Sequence, residues 1–494
     1  MVQPHEAQGS QLQSIKEKEE VNLYRHQKEA INFAIKNGGC CAFFHDPGLG
    51  KTRTGLETFK YYRSKNPKLR LLVVCPLSLV NAAWGEDIKK FTDFSYAPFK
   101  DLKKCREVPD IVIINYECLI SKKNLPLVES LIWKHHFMCI LDESSRLKNN
   151  KSVTTKTLLR LADSFNYRIV ASGTPMPNSE LELWGQMNFV EPEMLHKSFY
   201  AFRNTYFHLE RNGIMRRGSR YMSKDELREI FSEGWKYAIT DESREELMSV
   251  IQPVTHWVKK EEALDLPEKI DEVREVTLSA QERKAYKEME DLLITEIDGV
   301  EVTAQIALTK LMKLRQVTAG FLYSADGDSL PIGKSSKVKE LENMLEELGK
   351  QQVIVWVQFH HEVRVIEQLI REKFGTVGTL YSGTKDREES IRQFQQNEVQ
   401  YLIAHPRSAA HGLTFVNCSA MVFFSLDYSY EAHIQARDRI HRIGQGSACL
   451  YVYLVASNSI DGELLKVLQR KQSLQDVVYG IVRNKAKRKS SRNA

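Results

Sequence analysis

Alternation constrains this chain more than any other feature of its sequence. From Val21 onward, short apolar runs at Cys40–His45, Leu69–Pro76, Asp110–Asn115, Phe137–Leu141 and Arg168–Ser172 are rich in Val, Ile, Phe or Leu. Strands buried on both faces of a sheet have that composition. Helical stretches such as Thr52–Ser64 and Leu79–Phe91 lie between some of them. Strand–helix alternation predicts a parallel sheet with helices on both sides. The rhythm breaks over 191–330, where charged helical stretches dominate, as at Asp225–Lys236, Ala280–Leu293 and Val302–Leu314. It returns with runs at Gln352–Val357, Thr376–Ser382, Gln400–Ala404, Ala420–Ser425 and Leu450–Val455. Helices are expected among these runs at His361–Lys373, Asp386–Gln396, Tyr430–Ile440 and Ile460–Leu474. The fold class is therefore α/β, with a first lobe over 21–190, a helical insert and inter-lobe link over 191–330, and a second lobe over 331–480. A disordered N-terminus is expected over 1–20 and a basic tail over 481–494.

Composition enters where it excludes classes. The 494 residues suggest about three domains at roughly 150 residues each. No run of 18 or more apolar residues is present, so no membrane span or membrane partner is expected, and the polar N-terminus is not that of a signal peptide. None of the 8 cysteines stands in a C-x-x-C pair, which argues against zinc ribbons and a disulfide framework. Reduced, cytoplasm-like surroundings fit best. The net charge is +6. Six basic residues between Arg483 and Ala494 account for it, leaving a formally neutral body. That tail reads equally as a nucleic-acid contact or as a solvated end.

Chemistry concentrates after the first apolar run, in Asp46-Pro47-Gly48-Leu49-Gly50-Lys51-Thr52. Gly48 and Gly50 let the backbone curl several N–H groups around one anion, and the following helix adds its positive end. Lys51 is placed to reach the β- and γ-phosphates, and the Thr52 hydroxyl to ligate Mg²⁺. The strict phosphate-loop pattern has glycine where this chain has His45. A second element supports the first: Phe137–Leu141 ends in Asp142-Glu143, an acidic pair at the carboxyl edge of the sheet. Asp142 is expected to hold Mg²⁺, and Glu143 to position and deprotonate the attacking water. A third is Gln435 to Gln445, where Arg439 and Arg442 are candidates to stabilise charge on the transferring phosphoryl group from another domain.

The order of these motifs resembles the superfamily-two helicases, and more narrowly the Swi/Snf-type DNA translocase ATPases, from about Leu23 to about Leu474. Leu-Tyr-Arg-His-Gln (23–27) is similar to the family's adenine-reading motif, which implies that Gln27 contacts the base. The loop from Asp46 to Thr52 matches the family's own variant, which also lacks the early glycine. Val74–Val80, with Trp84 beyond it, resembles a nucleic-acid-contacting motif. Leu141–Asn149 resembles the Asp-Glu-Ala-His box, with Ser145 where histidine is usual, so altered coupling is expected. Ser172-Gly-Thr-Pro175 and Asn178 match the coupling motif. Pro253–Pro267, with Lys259 and Lys260, resembles the link between lobes, and Lys310–Gln316 a second-lobe helix. Gln358-Phe359 and His405–Thr414 fit the fourth and fifth motifs, the latter with Ala409 and Ala410 at positions often glycine. Arg-Ile-His-Arg-Ile-Gly-Gln (439–445) is the most specific run.

The resemblance implies two RecA-like lobes, ATP and Mg²⁺ as cofactors, and duplex DNA, with proteins bound to it, as partner. It implies a minimal translocase of bacterial or phage type, acting in the cytoplasm, or in the nucleus of a eukaryote. Sequence-independent grip would use phosphates, with Ser78, Gln358, Ser408 and the Arg211–Arg220 loop as candidates. Two other readings stay open: a strand-separating helicase, and an ATP-switched scaffold that moves nothing. Trp84 reads equally as core or as nucleic-acid contact. His360-His361-Glu362 reads as a solvated helix start rather than a metal cluster, and Cys40-Cys41 as strand packing.

Overall fold

A computed structural model describes residues 23–470 except 212, 217–225, 227–229, 231–234, 296–303, 407 and 409–412. The segments 1–20 and 481–494, together with Arg217, Arg220, Ala409 and Ala410, lie outside the described residues. The apolar runs become β1 (Cys40–His45), β2 (Arg70–Cys75), β3 (Tyr96–Pro98), β4 (Ile111–Asn115), β5 (Phe137–Asp142) and β6 (Tyr167–Ser172). Over 191–330 the chain adds β7 (Phe207–Arg211), β8 (Ile214–Arg216), β9 (Lys236–Ile239), β10 (Thr255–Val258) and β11 (Lys269–Val276). Then come β12 (Phe321–Tyr323), β13 (Ser329–Pro331), β14 (Val353–Trp356), β15 (Val377–Leu380), β16 (Tyr401–Ala404), β17 (Ala420–Phe423) and β18 (Cys449–Ala456).

Two parallel sheets result, one of seven strands in the order β10-β1-β6-β5-β2-β4-β3 and one of six in the order β11-β18-β17-β14-β16-β15. Both bury both faces, as the unbroken apolar runs require. In β2, Leu72 and Val74 join one core cluster while Leu71, Val73 and Cys75 join another. In β14, Ile354 and Trp356 face one way and Val353 and Val355 the other. Each such aliphatic side chain contributes roughly 1.5–3 kcal/mol by leaving water. The eight cysteines are free, and Cys41 is buried in β1. Among the described residues no helix is long and apolar enough to cross a membrane.

The segment expected as a helical insert is only partly helical. Helices do form at Ala280–Thr295 and Ala304–Thr318. Of the helix expected over Asp225–Lys236, Glu226 and Ile230 are helical, 225, 227–229 and 231–234 lie outside the described residues, and Lys236 begins β9, which joins β7 and β8 in a small antiparallel sheet. Two strands of the expected insert and link also join the large sheets. Strand β10 pairs with β1 and belongs to the first sheet, and β11 pairs with β18 and belongs to the second. Both are edge strands, and β11 (Lys-Ile-Asp-Glu-Val-Arg-Glu-Val) is so charged on its open face that its strand period is hidden.

Candidate active site

The phosphate loop leaves β1 at His45 under tight constraint. The Asp46 N–H donates to the Val258 carbonyl at 3.0 Å. Gly48 and Gly50 then take φ of 88° and 73°, which glycine adopts without strain. Space matters as much as dihedral. A Cβ on Gly50 would stand 2.3 Å from Gln27 Nε2, and one on Gly48 would stand 3.0 Å from Arg442 Cγ, a second-lobe atom. Gly173 of the coupling motif is equally confined, since its Cβ would meet Pro47 Cδ at 2.7 Å. Three sequence motifs therefore converge on one loop. Leu49 is buried, and its carbonyl lies 3.0 Å from His26 Nε2 and 3.5 Å from Gln27 Nε2. The helix Lys51–Lys65 begins at once, with Lys51 and Thr52 half-buried. Lys51 Nζ donates to the His45 carbonyl at 2.9 Å.

Asp142 ends β5, buried, with both carboxylate oxygens oriented. Trp84 Nε1 donates to Oδ2 at 2.9 Å and the Glu143 N–H to Oδ1 at 3.0 Å. Tyr116, which no motif singles out, donates its hydroxyl to the Asp142 carbonyl at 2.9 Å. Trp84 is thus a core residue that also fixes the acidic group. Burial raises the Asp142 carboxyl above the usual range, and the Lys51 ammonium opposes that rise. Glu143 sits in the left-handed region at φ 51°. Its carboxyl is pushed up to about 7, first by burial and then by Asp142 and Glu431, against Lys51 and Arg439. A base poised near neutrality suits proton transfer from water.

The donor set fits a divalent ion of the Mg²⁺ type. Asp142 and Thr52 offer hard oxygen atoms, while no group of three or more His, Cys, Asp or Glu among the described residues could hold a metal. Such an ion would be shared with substrate phosphates, as Mg²⁺ commonly is.

The second lobe supplies two guanidinium groups to this place. Arg439 is buried and donates from Nη1 to the Leu413 carbonyl at 3.0 Å. Burial, with Arg442 nearby, pushes it down to about 9, and Glu143 opposes. Arg442 donates from Nε to the Asp438 carbonyl at 2.7 Å and from Nη1 to Thr414 Oγ1 at 3.0 Å. Lys51, Asp142, Glu143, Arg439 and Arg442, chosen from sequence, are brought together here.

The two serines after Glu143 take different partners. Ser144 Oγ donates to Gln186 Oε1 at 2.8 Å, and Gln186 Nε2 donates to the Pro175 carbonyl at 2.6 Å. That relay reaches the coupling motif from the residue before the one expected. Ser145 instead faces the other lobe, donating to Glu431 Oε1 at 3.1 Å, with Lys148 Nζ 3.5 Å from Oε2. Sequence reasoning missed Gln186, whose one signal is a buried amide in the apolar helix Leu183–Val190.

The described nucleic-acid candidates lie by separate elements. Ser78 is exposed beyond β2, Gln358 half-buried beyond β14, and Ser408 half-buried beyond β16. All three lie past the carboxyl ends of their strands. Arg211 and Arg216 stand on the β7–β8 hairpin with Ile214 and Met215, 65% and 56% exposed. His360-His361-Glu362 is the helix start expected, with His360 exposed, but the other two residues are not solvated. Glu362 is buried, and His361 stacks on Phe321 with ring centroids 4.3 Å apart.

A family model described as SNF2-related domain matches residues 26–320, and one described as helicase conserved C-terminal domain matches residues 336–444. Putative protein p41 of Acyrthosiphon pisum secondary endosymbiont phage 1 is 25% identical over 461 residues, 89% of this chain and 94% of that one. The putative ATP-dependent helicase/translocase YwqA of Bacillus subtilis is 24% identical over 483 residues, 92% of this chain and 48% of that one. The Schizosaccharomyces pombe SWI/SNF chromatin-remodeling complex subunit snf22 is 26% identical over 465 residues, 87% of this chain. The match spans 26% of that subunit's length, about a quarter. The Sulfolobus solfataricus SWI2/SNF2 ATPase core in complex with dsDNA aligns over 91% of each chain at 23% identity, with a TM-score of 0.42.

Proposed function

The chain belongs to the SNF2-related domain family, and on that premise we propose that it is an ATP-hydrolysing motor that moves along duplex DNA and remodels DNA or complexes on it. One observation carries the reading: Arg442 of the second lobe packs against Gly48 of the first, with Arg439 close enough for its charge to act on Glu143. Hydrolysis is then conditional on the lobes meeting, and whatever favours their meeting controls it.

In this reading the loop from Asp46 to Thr52 holds ATP and Lys51 turns from the His45 carbonyl to the phosphates. Gln27 stands on the adenine side, next to the loop it already supports. Thr52 and Asp142 would hold Mg²⁺, which supplies charge neutralisation on the phosphates. Glu143 accepts the proton of the attacking water, and Arg439 and Arg442 stabilise the charge that develops. Ser78, Gln358 and Ser408, with Arg211 and Arg216, grip DNA phosphates as the lobes close and open. The lobes that move are residues 23–258 and 269–470. The place of action is the compartment that holds the DNA, bacterial or phage-infected cytoplasm or a nucleus.

A strand-separating reading is favoured by one feature, the β7–β8 hairpin with exposed Ile214 and Met215 between arginines. ATPase assays without nucleic acid and with blunt duplex, forked DNA, single strands and RNA test both. Stimulation by blunt duplex without fork unwinding is the expected result. Efficient fork unwinding would select the helicase, and equal rates in every case would end the motor reading.

A further inference from the structure

The link between the lobes carries a charged side chain that none of these roles uses. Lys260 follows β10 and opens the short helix Lys260–Ala263. Its side chain is 2% exposed. A buried ammonium needs partners, and those of Lys260 come from the second lobe. Its Nζ pairs with the Asp438 carboxylate, which is 9% exposed, and donates to the His441 carbonyl at 3.0 Å. The backbone N–H of the same residue donates to Asp46 Oδ2 at 2.9 Å. Strand β10 runs beside β1 with Val258 opposite His45. Lys260 therefore holds the first residue of the phosphate loop through its backbone and the arginine segment through its side chain. The Asp438 carbonyl accepts the Arg442 Nε hydrogen bond, and Arg439 is the next residue in the chain.

We infer that Lys260 is a positioning residue that sets where Arg439 and Arg442 stand relative to the phosphate loop. This rests on the proposed role of those arginines. Two surrounding facts favour positioning over simple cohesion. The loop keeps its other supports, from Gln27, His26 and Val258, when the Lys260 side chain is removed. The arginine segment loses the pairing that ties Asp438 to the turn after β10, the strand beside the loop's own. Displacement should thus appear on the arginine side, where about 1 Å of misplacement can cost roughly 10²-fold in rate.

The test uses the full chain with saturating duplex DNA. Lys260→Met should lower kcat by about 10²-fold while the Kd for a fluorescent ATP analogue changes by less than about threefold, since ground-state binding is largely spared. Added to Arg442→Ala, it should lower kcat by less than about twofold, the non-additivity of residues acting through one another. Should Lys260→Met fail to fold because Asp438 is left unpaired, Lys260→Met with Asp438→Asn removes both charges and carries the same expectations. A folded Lys260 variant with wild-type kcat, or one whose effect multiplies fully with Arg442→Ala, overturns the inference and leaves the arginine reading intact. An Arg442→Ala protein with unchanged turnover overturns the arginine reading itself.

Discussion

Two strand-to-helix turns at the carboxyl edges of the sheets, one in each lobe, treat the same electrostatic problem in opposite ways. After β1, the turn through Gly48 and Gly50 enters the helix Lys51–Lys65 with no side-chain cap and no acidic residue in the first turn. After β14, Gln358 and Phe359 enter the helix His360–Lys373, and Glu362 folds back to accept their N–H groups at 2.7 and 3.1 Å. Ser425 donates to the same carboxylate. The positive end of a helix attracts an anion. The second lobe fills that end with its own carboxylate, and the first leaves it without one, as the phosphate site proposed there requires. In the proposed function the second lobe accordingly serves the nucleotide through the long side chains of Arg439 and Arg442 rather than through a backbone cradle.

Four measurements sharpen or break this contrast. Arg442→Ala should lower DNA-stimulated turnover by roughly 10³–10⁵-fold with ATP affinity nearly kept. A proportionate fall in both, in steady-state kinetics and equilibrium binding, would put the arginine in the cradle. Glu143→Gln should lower turnover by roughly 10²–10⁴-fold and retain ATP. Near wild-type turnover would remove Glu143 from proton transfer. Glu362→Gln should cost about 1–3 kcal/mol in denaturant unfolding, because buried N–H groups lose a charged acceptor, with ATP affinity unchanged. If that variant instead gained a phosphate-competitive ATP site, the second turn would be a cradle in waiting.

The smallest effect concerns pH. Glu143 must be ionised to accept a proton, and burial, Asp142 and Glu431 raise its carboxyl to about 7. On the role proposed for Glu143, activity should be full above that value and be lost as pH falls through it, in the profile of kcat/KM, which reports the free enzyme. Glu431→Gln removes one negative neighbour and should move this limb toward acid. A shift toward base, or none, would show that Glu431 does not act on Glu143.

Much of this was legible in the residues because it is local. The apolar runs of both lobes end within a few residues of the observed strands, and β1 has the bounds read from sequence. The glycine loop and the acidic pair are contiguous words. What escaped depends on distant partners: Trp84 meets Asp142 across 58 residues, Ser144 meets Gln186 across 42, and Lys260 meets Asp438 across 178. Periodicity reports which face a residue takes and is silent on who waits there. The strands β10 and β11 escaped for another reason, since one is four residues long and the other carries the charges of an open edge. Ser145 shows the limit of resemblance: its place in the box was identified, but its partner belongs to this chain.

The backbone of Glu143 has a consequence for how such a motor could be lost. A non-glycine residue at φ 51° holds about 1–2 kcal/mol of steric cost, and enclosure of its carboxylate adds more. Folding tolerates both only because the rest of the lobe outweighs them. Asn accepts the left-handed conformation more readily and carries no charge. Glu143→Asn should therefore be at once inert and harder to unfold, with a raised melting temperature. On the role proposed for Glu143, drift away from catalysis at this position runs downhill in stability.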